Sequence, residues 1–538
     1  MNNHDYSKIF TASSATPSSS EDRLIVSPGM ETQRLLDSIY AASLEEIGSS
    51  KFIQSYCINL ERLSIQSHLT AGLISASQSN IVSTSSNSIA SPELGLGELF
   101  PSSSTEYIVE AFVENTDKLE DLVKTLLALE YWRENVLFRK DEGIKVKDEG
   151  NEDAEVEFEI EGGERGRGVQ DEYDSLNDVD GGEEADDSVS KGLASLLATN
   201  GNSLRAAFIL HAETTIVSML NLVFFKGIPP TFLEGDGDQF LLSLVDYCAR
   251  QLVFLGTPEG ANMALHRQKN PLSATNLSTY LATRSRLEEI QDAVHDESYK
   301  AAVAAVSLSR YLCENAQDLP ASIVSRILEV HDFPLLFVPL IEEPPWTRRR
   351  QVERKQDDRT TTQIVWEKLL NDNNCNEWSE VLPKDLMVLT KLEAQPWIAL
   401  FHLTACQVCR ESYGLDEFRK AQLMRLRKYI HEALMDQLPV LQEVARYLDE
   451  LSILGVPAIG GGVHRPSSKL LLQRVDSLRE SVLGPSSNDD HLNSIIKHQW
   501  EEIFSHVTDS NDEELKRLAF EVYDGLGSDE DPKNQDQL

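Results

Sequence analysis

A mostly α-helical protein, its helices stacked in series as a solenoid with disordered insertions, is the fold class this sequence predicts. Apolar residues recur at spacings of three and four in one segment after another, the mark of helices with one buried face. Sustained period-two alternation is almost absent, so few strands are expected. None of the helical segments is long enough for a coiled coil, and no repeat of fixed period is present. The solenoid therefore follows from the succession of amphipathic helices alone.

The elements follow in order. Six of the first 20 residues are serine and Pro28-Gly29 comes next, so residues 1–29 read as a loose tail. An N-terminal helical region, 30–140, opens with Leu36, Tyr40, Leu44 and Ile47 at helical spacing. A serine-rich stretch, 75–104, holds 11 serines in 30 residues and cannot bury enough to offset its ordering. Leu119, Leu122, Val123 and Leu126 form the next face, ending near Trp132 and Phe138. Residues 141–192 read as an acidic disordered insertion: 141–188 carry 20 acidic against 4 basic residues, a net 4 − 20 = −16.

A central helical body is expected over 193–459. Ile216, Met219, Leu220, Val223 and Phe224 give one buried face, stopping before Gly227, Pro229 and Pro230. Phe240 to Leu252 repeats the pattern, and 287–312 is helical with alanines at 301, 302, 304 and 305. A helix from 320 turns at Asp332-Phe333-Pro334 into a short apolar segment. Pro344-Pro345 ends it, and 348–359 reads as exposed. The longest helix signal covers 415–451, with Leu423, Leu426, Ile430, Leu434 and Leu438 as its stripe and a kink or break at Pro439. Glycines 460–462 open a C-terminal set of helices, 460–526, and 527–538 is a polar tail.

Charge restricts the function. With 49 basic and 88 acidic residues the net charge is −39, against a binder that tracks phosphates or adheres to anionic lipid. Six cysteines in 538 residues do not make a disulfide scaffold, and no apolar run opens the chain, so a soluble protein of a reducing compartment is expected.

Few constellations offer chemistry. Cys406 and Cys409 form one C-x-x-C with His402 nearby, where a structural zinc site needs four convergent ligands. His402 and Cys409, seven residues apart on a helix, sit about 10 Å apart along its axis. His211-Ala212-Glu213 matches the H-x-E of zinc deaminases, but Ala405 replaces the proline of the partner motif. Gly460-Gly461-Gly462 lacks the lysine and hydroxyl of a phosphate loop. Trp346 with Arg348 and Arg349 is a candidate protein-binding site, because Trp and Arg anchor interfaces. The basic run could equally neutralise the chain's own acidic insertion.

Several phrases, in order, carry a resemblance. They are Leu129-Glu130-Tyr131-Trp132, His211-Ala212-Glu213 with Phe224-Phe225, and Leu244-Val245-Asp246-Tyr247-Cys248. His331-Asp332-Phe333-Pro334 runs on to Glu343-Pro344-Pro345-Trp346, and Gln395-Pro396-Trp397-Ile398-Ala399-Leu400, Asp436-Gln437-Leu438-Pro439 and Lys497-His498-Gln499 follow. Together they resemble the zinc finger MYND domain-containing protein ten family, cytoplasmic assembly factors for axonemal dynein arms.

The resemblance implies an armadillo-like body without enzymatic activity and a co-chaperone role. The implied partners are axonemal dynein chains, heat-shock chaperones, a prolyl isomerase co-chaperone and a leucine-rich-repeat dynein assembly factor. It also implies a cytoplasmic place, concentrated near basal bodies or centriolar satellites. The family's MYND finger binds two zinc ions through seven cysteines and a histidine. No cysteine follows Cys409 here, so no cofactor is expected. One rival is an armadillo-like scaffold in another assembly pathway. The other is a zinc hydrolase or deaminase using His211, Glu213, Cys406 and Cys409.

Overall fold

The computed structural model describes residues 30–64, 103–139, 193–199, 203–233, 237–257, 260, 285–356, 359–369, 378–454, 477–483, 489–504 and 515–517. The tail 1–29, residues 75–102 of the serine-rich stretch, the acidic 141–192, the glycines at 460–462 and the tail 527–538 lie outside them.

The protein is mostly helical. Helices α1 (Met30–Asp37), α2 (Ser103–Glu114) and α3 (Thr116–Tyr131) lead to α4 (Leu193–Thr199), α5 (Ser203–Phe225) and α6 (Gly237–Gly256). Then come α7 (Arg286–Glu314), α8 (Ala321–Ser325) and α9 (Phe333–Glu342). An antiparallel sheet in the order β1 (Thr347–Gln356), β2 (Arg359–Leu369), β3 (Trp378–Val381) interrupts the helices. Helices α10 (Lys391–Ala405), α11 (Gln407–Ser412), α12 (Glu417–Met424), α13 (Glu432–Gln437), α14 (Leu441–Leu454), α15 (Ser477–Leu483) and α16 (Asp489–His498) follow.

The 29-residue α7 is the central beam, and α5, α6 and α10 pack against it. Ser285 and Glu288 close a capping box at its start, and Thr390 with Glu393 does the same for α10. The alanines at 301, 302, 304 and 305 are all buried, and their small side chains let neighbouring helices approach. Helix α5 is buried on nearly every side, its polar residues included. Its membrane-length apolar window is 83% buried inside the fold, as in a core helix.

Two sequence expectations need correction. The pattern Leu36, Tyr40, Leu44, Ile47 does not continue a helix, since α1 ends at Asp37. The residues after it bond elsewhere: Lys118 Nζ donates to Ile39 O (2.6 Å), and Ala42 N donates to Thr125 Oγ1 (3.0 Å). Tertiary partners have replaced helical ones, while Leu36, Leu44 and Ile47 remain buried.

The 415–451 signal is not one helix either. It divides into α12, a 3₁₀ turn at Arg425–Lys428, α13 and α14. His431 caps α13 through Nδ1, and Pro439 has no donor to carry a helix through. All five stripe residues are nonetheless buried. Burial fixed their spacing; continuity was lost to caps. Arg349 is exposed, and residues 348–356, within the stretch read as exposed, belong to strand β1 of a hairpin with β2. Thr360-Thr361-Thr362 and Ile364-Val365-Trp366 are strong strand formers that signal it.

The C-terminal end returns to the N-terminal one. Gly48 has φ +91°, and a Cβ there would lie 2.5 Å from Phe504 Cζ, so only glycine fits without displacement. Gly48→Ala is expected to cost about 1–3 kcal/mol and to lower the thermal midpoint. An unchanged midpoint would mean that Phe504 moves aside freely.

Candidate functional site

Trp346, Arg348 and Arg349 are brought together, but not as an exposed triplet. Trp346 is 1% exposed, placed in the core by the turn at Pro344-Pro345. Its carbonyl accepts Leu369 N at 3.0 Å. Arg348 Nε donates to the buried Glu367 at 2.8 Å, and its guanidinium lies 4.0 Å from the Trp378 ring centre. Arg349 is exposed, stacked 4.3 Å from the Trp366 ring centre on the opposite sheet face.

The cysteine motif stands apart from the H-x-E motif in its contacts. Cys409 is buried, and burial pushes its thiol up to about 12. His402 lies 3.9 Å from Glu314, and burial lowers its pKa. Among the described residues no cluster of three or more His, Cys, Asp or Glu side chains could hold a metal ion.

Polar residues of the phrases that carried the resemblance instead join distant segments, Glu213 with Tyr247, Asp246 with His331 and Trp132 with Gln499 among themselves and the others with residues outside the phrases. Glu130 on α3 takes Arg250 Nε and Nη2 at 2.8 and 2.5 Å, with Gln251 at 3.3 Å. Glu213 on α5 takes Arg133 in a two-pronged pair at 2.8 and 3.1 Å, and Tyr247 OH donates to it at 3.1 Å. Burial would lower the Arg133 pKa, but the Glu213 carboxylate outweighs it and raises it.

Two residues earlier, His211 faces elsewhere. Its ring nitrogens stand 3.1 Å from Glu297 and 3.2 Å from Glu61. Thr214 and Thr215 donate to the same two carboxylates at 3.0 and 2.9 Å, and Lys300 joins Glu297 at 2.6 Å. The H-x-E therefore supplies two separate fasteners, not a base and a ligand converging on one substrate.

The pattern continues down the chain. Asp246 on α6 takes Arg326 at 2.6 and 2.6 Å and His331 at 2.5 Å. Asp332, the sole non-glycine with positive φ (+53°) among the described residues, takes Tyr413 OH and Arg419 Nε at 2.7 Å each. A short polar side chain tolerates that left-handed backbone. Gln437 clasps the loop before α10: its amide donates to Met387 O at 3.0 Å and accepts Leu389 N at 2.9 Å. Trp132 Nε1 donates to Gln499 Oε1 at 2.9 Å, and Gln499 Nε2 reaches Leu44 O at 2.6 Å.

A buried charge left alone is costly, so each of these residue types is fixed by its partner. Three of the π-helical turns present these partners: Trp132–Val136, Arg326–Val330 and Gln499–Phe504. The wider turn lets Arg133, Arg326 and Gln499 leave their helices toward another layer. The partners Arg133, Arg250, Arg326, Glu61 and Glu297 escaped the sequence analysis. Their one signal was a charged residue on an otherwise apolar helical face.

Asp246 gives a pH test. Burial alone would raise its pKa, but the hydrogen bonds from Arg326 and His331 hold it down at about 2. A depressed carboxylate contributes stability above its ordinary value near 3.8 that is lost as pH falls through about 2. Arg326→Leu is therefore expected to unfold at a higher pH than the parent on acid titration. Superimposable acid-unfolding curves would show that the pair contributes nothing.

Comparison with known proteins finds relatives of this chain. The chain is 25% identical over 336 residues to the zinc finger MYND domain-containing protein 10 homolog of Drosophila melanogaster. The match covers 61% of this chain and spans 64% of the relative's length, which is less than two thirds. No family model and no solved structure matches the chain.

Proposed function

This chain is a relative of the zinc finger MYND domain-containing protein 10 family, and from that premise we propose that it is a non-enzymatic assembly factor for axonemal dynein arms. It would act in the cytoplasm, near basal bodies or centriolar satellites, as a co-chaperone or adaptor required for motile cilia or flagella. The observation that carries this reading is that polar residues of the resemblance phrases serve as fasteners of a helical body. Residues so committed keep a shape, and a shape acts through its surface.

We further read α5, α7, α10 and α14, each packed on the next, as the core of an armadillo-like solenoid. In an open solenoid each unit touches only its neighbours. The return of Gln499 to Leu44 and Trp132 makes this one closed on itself at the N-terminal end. The body would hold dynein chains and pass them to heat-shock chaperones, a prolyl isomerase co-chaperone and a leucine-rich-repeat assembly factor. Helix grooves and surface charge suit such work.

Removing the gene tests the reading. Cilia or flagella of normal length that beat poorly, with arms missing by electron microscopy and heavy chains depleted in cytoplasmic extract, are expected. Intact arms with normal heavy-chain levels would reject it in favour of a scaffold for another assembly pathway.

A further inference from the structure

Strand β1 is an outer strand. It pairs along all ten residues with β2, and its other edge has no partner among the described residues. An unpaired edge is a template for a further strand. This one is strongly basic: β1 carries Arg348, Arg349, Arg350, Arg354 and Lys355 against the single acid Glu353, in a chain of net charge −39.

The complement lies in the same chain, outside the described residues. Within the acidic stretch, Glu155-Val156-Glu157-Phe158-Glu159-Ile160-Glu161 alternates carboxylate and apolar residues without a break. That period of two suits a strand with one charged face and one apolar face. We propose that residues 155–161 add to the free edge of β1 as a fourth strand, in cis, with the carboxylates set against the basic strand.

Both faces of the sheet fit such a strand. Arg348 and Arg350 share the face of Glu367, which they meet at 2.8 and 3.0 Å. Arg349 shares the other face with Trp366 and with Ile364, which is 61% exposed. A register that sets the four glutamates on the Arg348 and Arg350 face carries Val156, Phe158 and Ile160 to the face of Arg349, Trp366 and Ile364. Charge then meets charge, and the half-buried Trp366 and exposed Ile364 gain apolar neighbours.

The two segments also share one chain. Glu155 follows Arg139 by 16 positions, a link of up to about 53 Å when extended. Docking within one chain has an effective concentration in the millimolar range for short flexible links, which a free partner seldom matches. Basic residues on an edge also repel unwanted strands. The uninterrupted acidic alternation distinguishes this segment from other sequence that could approach.

Hydrogen–deuterium exchange read by mass spectrometry on the full chain tests the proposal. The amides of 156–161 are expected to exchange at least tenfold more slowly than the acidic residues flanking them, at every protein concentration. Reversing the charge with E155K, E157K and E159K together should abolish that protection and speed exchange in 347–356. Adding R354E, on the face of Arg348 and Arg350, to that variant should restore part of it. Three results would each overturn the proposal. The first is exchange in 156–161 as fast as in the flanks. The second is protection that survives the triple reversal. The third is protection that grows with protein concentration, which would assign the strand to a second copy of the chain.

Discussion

Replacing Glu213 by alanine is expected to destabilise the helical body by about 3–5 kcal/mol, the cost of leaving one member of a buried ion pair alone. The Arg133 side chain is 10% exposed and Glu213 3%, so water cannot take the place of the lost carboxylate. Tyr247 loses its acceptor in the same step. Glu134 remains 3.7 Å from Arg133, but its side chain is 42% exposed, and a carboxylate so well hydrated offsets little.

A total stability of roughly 5–15 kcal/mol makes this a large fraction of the whole. Urea unfolding followed by circular dichroism measures it. The double variant Arg133→Met with Glu213→Leu should lie much closer to the parent, because neither charge is then stranded. A single-variant loss below about 1 kcal/mol would show the pair to be hydrated in solution.

Raising the pH is expected to weaken the fold through His211. Burial would lower its pKa, but Glu61 and Glu297 outweigh burial and carry it up to about 9. With a carboxylate at each ring nitrogen, the doubly protonated ring donates to both. A raised folded-state pKa gives stability that is fully present below the ordinary value near 6.5 and is lost as pH rises through about 9. The interval is 9 − 6.5 = 2.5 units, which at 1.36 kcal/mol per unit is about 3 kcal/mol.

Stability measured from pH 6 to pH 10 should therefore fall between about 6.5 and 9 and level off above that. His211→Gln should be less stable at pH 6 and should lose that fall. A parent whose stability is level to pH 10 would mean that the ring is neutral throughout. The two variants also separate the halves of the H-x-E motif, since His211 and Glu213 serve different fasteners.

Much of this protein could be read from local spacing. The faces of α3, α6 and α7 follow from apolar residues three and four apart, because burial on a helix is periodic whatever lies opposite. Prolines and glycines marked several ends for the same local reason: 229 and 230 after α5, 344 and 345 after α9. Even where the helix over 415–451 failed, its stripe was buried as expected. The resemblance, too, was legible, since each of its phrases is a short contiguous run.

Tertiary structure alone decided what the polar residues in those phrases do. Glu213 meets Arg133 across 80 residues, His211 meets Glu61 across 150, and Trp132 meets Gln499 across 367. Spacing along a helix says which way a side chain points, but not which charge waits there. Nor does it place Trp346, which a turn after α9 carries into the core. Burial periodicity is a property of one segment, whereas the pairing of buried charges is settled only when two distant segments desolvate each other.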